Sequence, residues 1–241
     1  MTVATKNPAS INWIGYLAIT LLISIPLAVL TVRSGAWQQG LLLYALSCAG
    51  SALVLLVALL LMVMPRFATW RGALRNRALF TIPGSLLLLS LLAGRGDYPP
   101  IHDITTDLED PPVFVTAGKV RGDESNSLTL QAEVLEAQAA AYPDLQTLII
   151  SDSIENAFDR ALATARDLGW EVYHRDLNAG IIEAVDTTAI MGFKDDIVIR
   201  LNTNAEGTLV DLRSTSRVGI GDLGANAARI RNFLQTYQQQ D

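Results

Sequence analysis

His102-Asp103-Ile104-Thr105-Thr106-Asp107, with Glu109 and Asp110 just beyond, is the segment whose residue types come closest to a reactive centre. A histidine among carboxylates can accept a proton near neutral pH or lend its imidazole to a metal ion. His102, Asp103 and Asp107 therefore form the candidate catalytic group, of the kind an envelope hydrolase or metal-dependent enzyme would use. Ligand count and spacing argue against it. The chain has one other histidine, His174, in a separate strand-like stretch, and the acids lack the spacing and glycine of a calcium loop. The competing reading is an arm fastened by Asx and Ser/Thr turns. No metal and no cofactor are expected.

A second constellation is Arg213-Ser214-Thr215-Ser216-Arg217. Alternate residues of a strand share a face, so Arg213, Thr215 and Arg217 point one way, with Asp211 beside them and Arg200 able to join from a neighbouring strand. Guanidinium forks suit carboxylate or phosphate, which makes Arg200, Arg213 and Arg217 candidate ligand contacts. An internal ladder of ion pairs with Asp211, Glu183 or Asp222 is the favoured alternative, since paired charges are the usual state of such residues.

Gly219-x-Gly221-x-x-Gly224 follows a strand and opens a helix, as a dinucleotide fingerprint does. That fingerprint also needs a second parallel strand with an acid about 20 residues on. Only 17 residues follow Gly224, and their apolar stripe assigns them to a helix, so the glycines read as a strand exit and a tight turn. There is no G-x-S-x-G, Walker loop or H-E-x-x-H, and the sole cysteine, Cys48, lies in an apolar run. The balance leans away from an enzyme. Ala189-Ile190-Met191-Gly192-Phe193 is an apolar connection between two strands. It makes Ile190, Met191 and Phe193 candidate contacts to a partner protein or a bilayer, unless the loop folds back over the sheet edge.

The elements that must position these groups are legible from about Leu145 onward. A strand over 145–150 is followed by a helix, with Ile154, Ala157, Phe158, Ala161, Leu162, Ala165 and Leu168 at helical spacing and Gly169 at its end. Strand-like stretches follow at 170–175, 180–186, 196–203 and 208–216. The last two alternate with period two, so one face is apolar and one polar. Asp222 can cap a final helix whose stripe includes Leu223, Ala227, Ile230, Phe233 and Tyr237. The expected fold is α+β: an antiparallel sheet with two helices packed on one face. Residues 95–144 read as an irregular, Pro- and Asp-rich arm with a short helix over 128–141.

The part before it is a different physical object. The first 94 residues contain no Asp and no Glu, and all 24 acids follow. The remainder carries twelve Lys/Arg against those 24 acids, a formal charge of −12. A carboxylate costs roughly 2.5–3.5 kcal/mol at the centre of a membrane helix. Apolar runs at 11–32, 41–64 and 79–93 read as three transmembrane helices, the third short for the roughly 20 residues a span needs unless Arg77 and Arg95 snorkel. The first is too long for a cleaved signal peptide and has no A-x-A-like site after it. Arg66, Arg71, Arg75 and Arg77 fall in the connection 65–78, against Arg33 alone in the other short loop. The positive-inside rule then puts that connection and the N-terminus, with Lys6, in the cytoplasm and the acidic unit outside. The expected division is 1–94 membrane, 95–144 arm and 145–241 α+β domain, with 95–241 one extracytoplasmic unit. No ionisable group interrupts the runs, which argues against a transport pathway. Gly50 and Ser51 could permit close helix contact. A charge of −12 disfavours nucleic acid.

Several separated segments, in order, resemble a bacterial family catalogued as domain of unknown function 1499. They are Ile101 to Asp107, Pro111-Pro112-Val113-Phe114, Tyr142-Pro143-Asp144, Gly192-Phe193-Lys194-Asp195-Asp196, and Arg213 to Gly219 continuing through Asp222-Leu223-Gly224 to Asn226. The resemblance covers about residues 95–238. It implies a single domain in a membrane-anchored or exported bacterial envelope protein and transfers no catalytic residue. The expectation is an inner-membrane protein that presents an acidic periplasmic domain, with the lipid bilayer and a partner protein or lipid-derived ligand as its contacts.

Overall fold

The computed structural model describes residues 8–94 and 96–240. The expectations that drew on Lys6 and Arg95 lie outside those residues. The chain divides into two compact units, Met1–Gly96 and Asp97–Asp241.

In the first unit, α1 (Ala9–Arg33) and α2 (Trp37–Val63) form a hairpin. Gly35, at φ +98°, makes the reversal between them. A 3-10 turn (Pro65–Trp70), α3 (Arg71–Ala78), a second 3-10 turn and α4 (Ile82–Ala93) follow without a break in helical character. Three helical stretches are thus long and apolar enough to cross a membrane: Ala9–Arg33, Trp37–Val63 and Pro65–Ala93. The third is longer than the apolar run 79–93, because the basic connection 65–78 is helical rather than a loop. Leu74 and Ala78 of α3 are buried and give that basic segment an apolar side. Pro83 does not break the helix, since it sits in the first turn of α4, where its missing N–H has no helical partner to lose. The guanidinium of Arg77 donates to Asn12 Oδ1 (2.7 Å) and to the Ala73 carbonyl (3.1 Å). Gly84 packs on Ser51 so closely that a Cβ there would collide with Ser51 Oγ, and Gly50 faces Leu21.

The second unit is an open, wholly antiparallel sheet of six strands: β1 (Asp103–Thr105), β2 (Leu148–Ile150), β3 (Glu171–Asp176), β4 (Ile181–Thr187), β5 (Lys194–Asn204) and β6 (Gly207–Ser216). The order is β1-β6-β5-β4-β3, and β2 also pairs with β6. The helices are α5 (Ala117–Val120), α6 (Ala132–Ala141), α7 (Ile154–Asp167) and α8 (Ala225–Gln238). The overall class is α+β. Helix α7 starts at Ser153, whose hydroxyl accepts from the Asn156 amide, and Gly169 at φ +80° ends it. Its buried stripe and that of α8 cover the apolar face of the sheet. Ile182, Ile197, Ile199, Leu201 and Leu212 meet Phe158, Ile230, Phe233 and Tyr237 there, and Trp170 stacks on Phe233 at 5.3 Å.

The arm differs from a purely irregular segment. Residues 103–105 form β1 and 117–120 a turn of helix. β1 was invisible to periodicity because three residues are too few to show one.

Candidate functional site

The second face of the sheet carries the residues singled out for chemistry. The register puts Arg200 opposite Asp211, Val198 opposite Arg213 and Asp196 opposite Thr215. On the neighbouring strand Glu183 lies opposite Val198. One polar stripe therefore runs across three strands. It is not open to solvent: Glu183, Asp196, Asp211 and Arg213 are all buried. The arm covers it, and it does so with charge.

Four arginines organise this layer. Arg213 grips Asp103 of the arm through Nε–Oδ1 (2.9 Å) and Nη2–Oδ2 (2.8 Å), and donates further to the carbonyls of Pro112 and Leu128. Arg217 makes the same two-point contact with Asp196 (3.0 and 2.8 Å). Arg200 bridges Asp107 (2.9 Å), Asp110 (2.8 Å) and Asp211 (3.1 Å). Arg121, from the arm, brings Nε to 3.1 Å from Asp196 and donates to the Ser216 carbonyl (3.3 Å). Paired forks of this type give geometric specificity as well as energy. Glu183 takes no arginine. Its two oxygens accept the backbone amides of Val115 and Thr116, which tie the arm down at a second point.

The surroundings shape the charges. The hydrogen bond to Asp196 holds the Arg217 guanidinium above its ordinary range. Burial works against the charge on Arg200, but the hydrogen bond and charge of Asp211, with Asp110 and Asp107, outweigh it and raise its pKa. Burial lowers that of Arg121; Asp196 opposes the shift and Arg217 adds to it. Tyr173, 3.5 Å from Asp196, is pushed up strongly by burial and then by the charges of Asp196 and Glu183.

The three candidate catalytic residues do not converge. Asp103 points into the layer toward Arg213, whereas the neighbouring His102 turns away and places Nδ1 3.1 Å from the Ile220 carbonyl oxygen. Asp107 takes the Glu109 and Asp110 amides on one oxygen and Arg200 on the other. Among the described residues no three His, Cys, Asp or Glu side chains come together as metal ligands. Beside Asp107 a recess of about 470 Å³ opens, lined by Thr106, Leu108, Tyr142 and Thr147 among others. At its floor the hydroxyls of Thr106 and Thr147 donate to Asp211 (2.9 and 2.6 Å). The arrangement can latch an arm and hold a strand register.

The glycine-rich segment serves the strand exit. Asp222 accepts the Gly224 and Asn226 amides at the start of α8, and Gly221 and Gly224 leave room for Pro100 and the Tyr98 ring. Sequence reasoning missed Asn226. It is fully buried, donates to the His102 carbonyl (3.0 Å) and Ser216 Oγ (2.9 Å), and accepts from Ser214 (2.6 Å) and Arg229. A buried amide on the apolar side of a helix was the signal that could have found it. In the β4–β5 connection Ile190 is exposed, while Met191 and Phe193 are half-buried.

No curated protein matches the chain. Residues 103–236 match the family described as protein of unknown function, DUF1499, and this stretch contains the latched arm segment, all six strands and most of α8. The chain belongs to that family.

Proposed function

We propose that this chain is a bacterial inner-membrane protein that holds its acidic C-terminal unit on the periplasmic side, where the unit works as a binding module for a partner protein or a lipid-derived ligand. The placement is supported by the partition of charge: four arginines in the helical connection 65–78, and all 24 acids beyond residue 94. The binding reading is carried by one observation. The arginines that could have received an anionic substrate are ion-paired within the fold, while large apolar side chains, Ile190 among them, stand in solvent.

Two measurements test this. A C-terminal alkaline phosphatase fusion is expected to be active and a C-terminal green fluorescent protein fusion dark; the reverse pattern overturns the placement. A photo-crosslinking residue at Phe193 in intact cells is expected to capture a discrete protein or lipid adduct. Absence of any adduct, with unchanged behaviour of Phe193→Ser, removes the binding role.

A further inference from the structure

Ile220, Ile190 and Leu223 are among the most exposed large apolar side chains of the C-terminal unit, at 81, 69 and 68 %. The strand register places all three at one end. β5 begins at Lys194, whose carbonyl accepts the Arg217 amide just past β6. The β4–β5 turn bearing Ile190 and the β6–α8 loop bearing Ile220 and Leu223 are therefore neighbours. The chain also enters the unit at this end. Ile101 accepts from the Asp222 amide, His102 meets the Ile220 carbonyl, and the Tyr98 ring lies against Gly224.

We propose that this end is a lipid-contact surface: Ile220, Leu223 and Ile190 dip into the headgroup–acyl boundary of the bilayer that holds the three apolar helices. This rests on the reading above and narrows it, naming the bilayer as the surface this end contacts. Chain length supports it. From Gly94, at the end of the last apolar helix, to Tyr98 is four residues, which reach at most about 14 Å. The loop pinned to Tyr98–His102 is tethered to the membrane exit at that range, and a headgroup layer is itself about 5–8 Å deep.

The backbone supplies an independent sign. Leu223 sits at φ +54°, the one described non-glycine residue in left-handed space. Glycine or asparagine would occupy that position with less strain, and its side chain contributes little packing at 68 % exposure. An apolar group kept in an unfavourable backbone state at a loop tip fits a contact made outside the folded unit. Among the described residues, exposed charges on the adjoining segments include Asp97, Asp123, Glu124 and Glu171 against Lys119 and Lys194. They form no basic patch, so insertion of apolar groups into neutral lipid, rather than attraction to anionic headgroups, is the mode this end supports.

The full chain, in a Cys48→Ser background, is the material for the test. Ile220→Cys, Leu223→Cys and, in the β5–β6 turn at the far end, Glu206→Cys each carry an environment-sensitive fluorophore in phosphatidylcholine nanodiscs. The labels at 220 and 223 are expected to be blue-shifted relative to 206 and quenched at least twofold by brominated acyl chains, with 206 unaffected. Labels at 220 and 223 as water-exposed and unquenched as that at 206 overturn the proposal. Because these discs hold lipid and no partner protein, that failure is separate from loss of the binding reading, which the crosslinking in cells decides.

Discussion

Asp103 and Arg213 meet diagonally across the β1–β6 pair, joined by two hydrogen bonds of 2.9 and 2.8 Å, with both side chains about 95 % removed from water. A three-residue strand has little ladder energy of its own. Its place in the sheet is set by this fork, by the Glu183 contacts further along the arm, and by the Gln138 side chain, which bonds both the amide and the carbonyl of Thr105.

Removing one member of the fork leaves the other buried and unpaired, which typically costs about 3–5 kcal/mol. Asp103→Ala in the full chain is expected to lower the hydrogen-exchange free energy of β6 amides by that amount and to expose the arm to protease. The double variant Asp103→Leu/Arg213→Met is expected to recover much of the loss, because two apolar groups leave no stranded charge. A single variant within 1 kcal/mol of the parent would show that the fork does not fasten the arm.

Asn226 serves four partners on the apolar side of the sheet. Each buried polar group left without a partner costs about 1–3 kcal/mol. Asn226→Ala is therefore expected to destabilise the C-terminal unit by about 2–4 kcal/mol and to loosen the His102 segment first, read as early exchange of the Ser216 amide, which bonds the His102 carbonyl.

Tyr173 has a folded pKa raised above its ordinary value of 10.0 by burial and by Asp196 and Glu183. Its protonated form is favoured in the fold, so the contribution is whole below pH 10. Above that, the unfolded chain ionises while the folded one stays neutral, and stability falls toward the folded pKa by at most about 1.4 kcal/mol per pH unit. Tyr173→Phe is expected to flatten the alkaline limb of a stability–pH curve measured between pH 9 and 11. An unchanged slope would mean that Tyr173 does not contribute to it.

In the first unit Gly84 has no room for a side chain against Ser51. Gly84→Val is expected to destabilise this unit by about 1–3 kcal/mol, the usual cost of overpacking, read as a lower aggregation temperature in detergent. Ser51→Gly is expected to restore part of it. Equal melting of Gly84→Val and parent would remove the close packing.

The long apolar helices were legible as unbroken apolar runs, the α7 and α8 stripes by their helical spacing, and β5 and β6 by an alternation long enough to show. The arm was not. β1 and α5 hold three and four residues, and their positions depend on groups more than sixty residues away, such as Glu183 and Arg213. The ends of strands also shifted: the expected strand 145–150 retains 148–150, because Leu145 turns into the core before the ladder begins.

Composition alone set apart an acid-free apolar segment from an acid-rich unit, and periodicity assigned the latter its α+β class, since residue content and the alternation of a pleated strand are local properties. Alternation likewise put Arg213 and Arg217 on one face. What the tertiary structure decided is what that face meets. The arm folds over it, Asp103 takes Arg213, Asp196 takes Arg217 and Arg121, and His102 is turned to the opposite side toward Ile220. Those pairings join residues far apart in the chain, and a buried charge is stable only beside the partner that the fold brings to it.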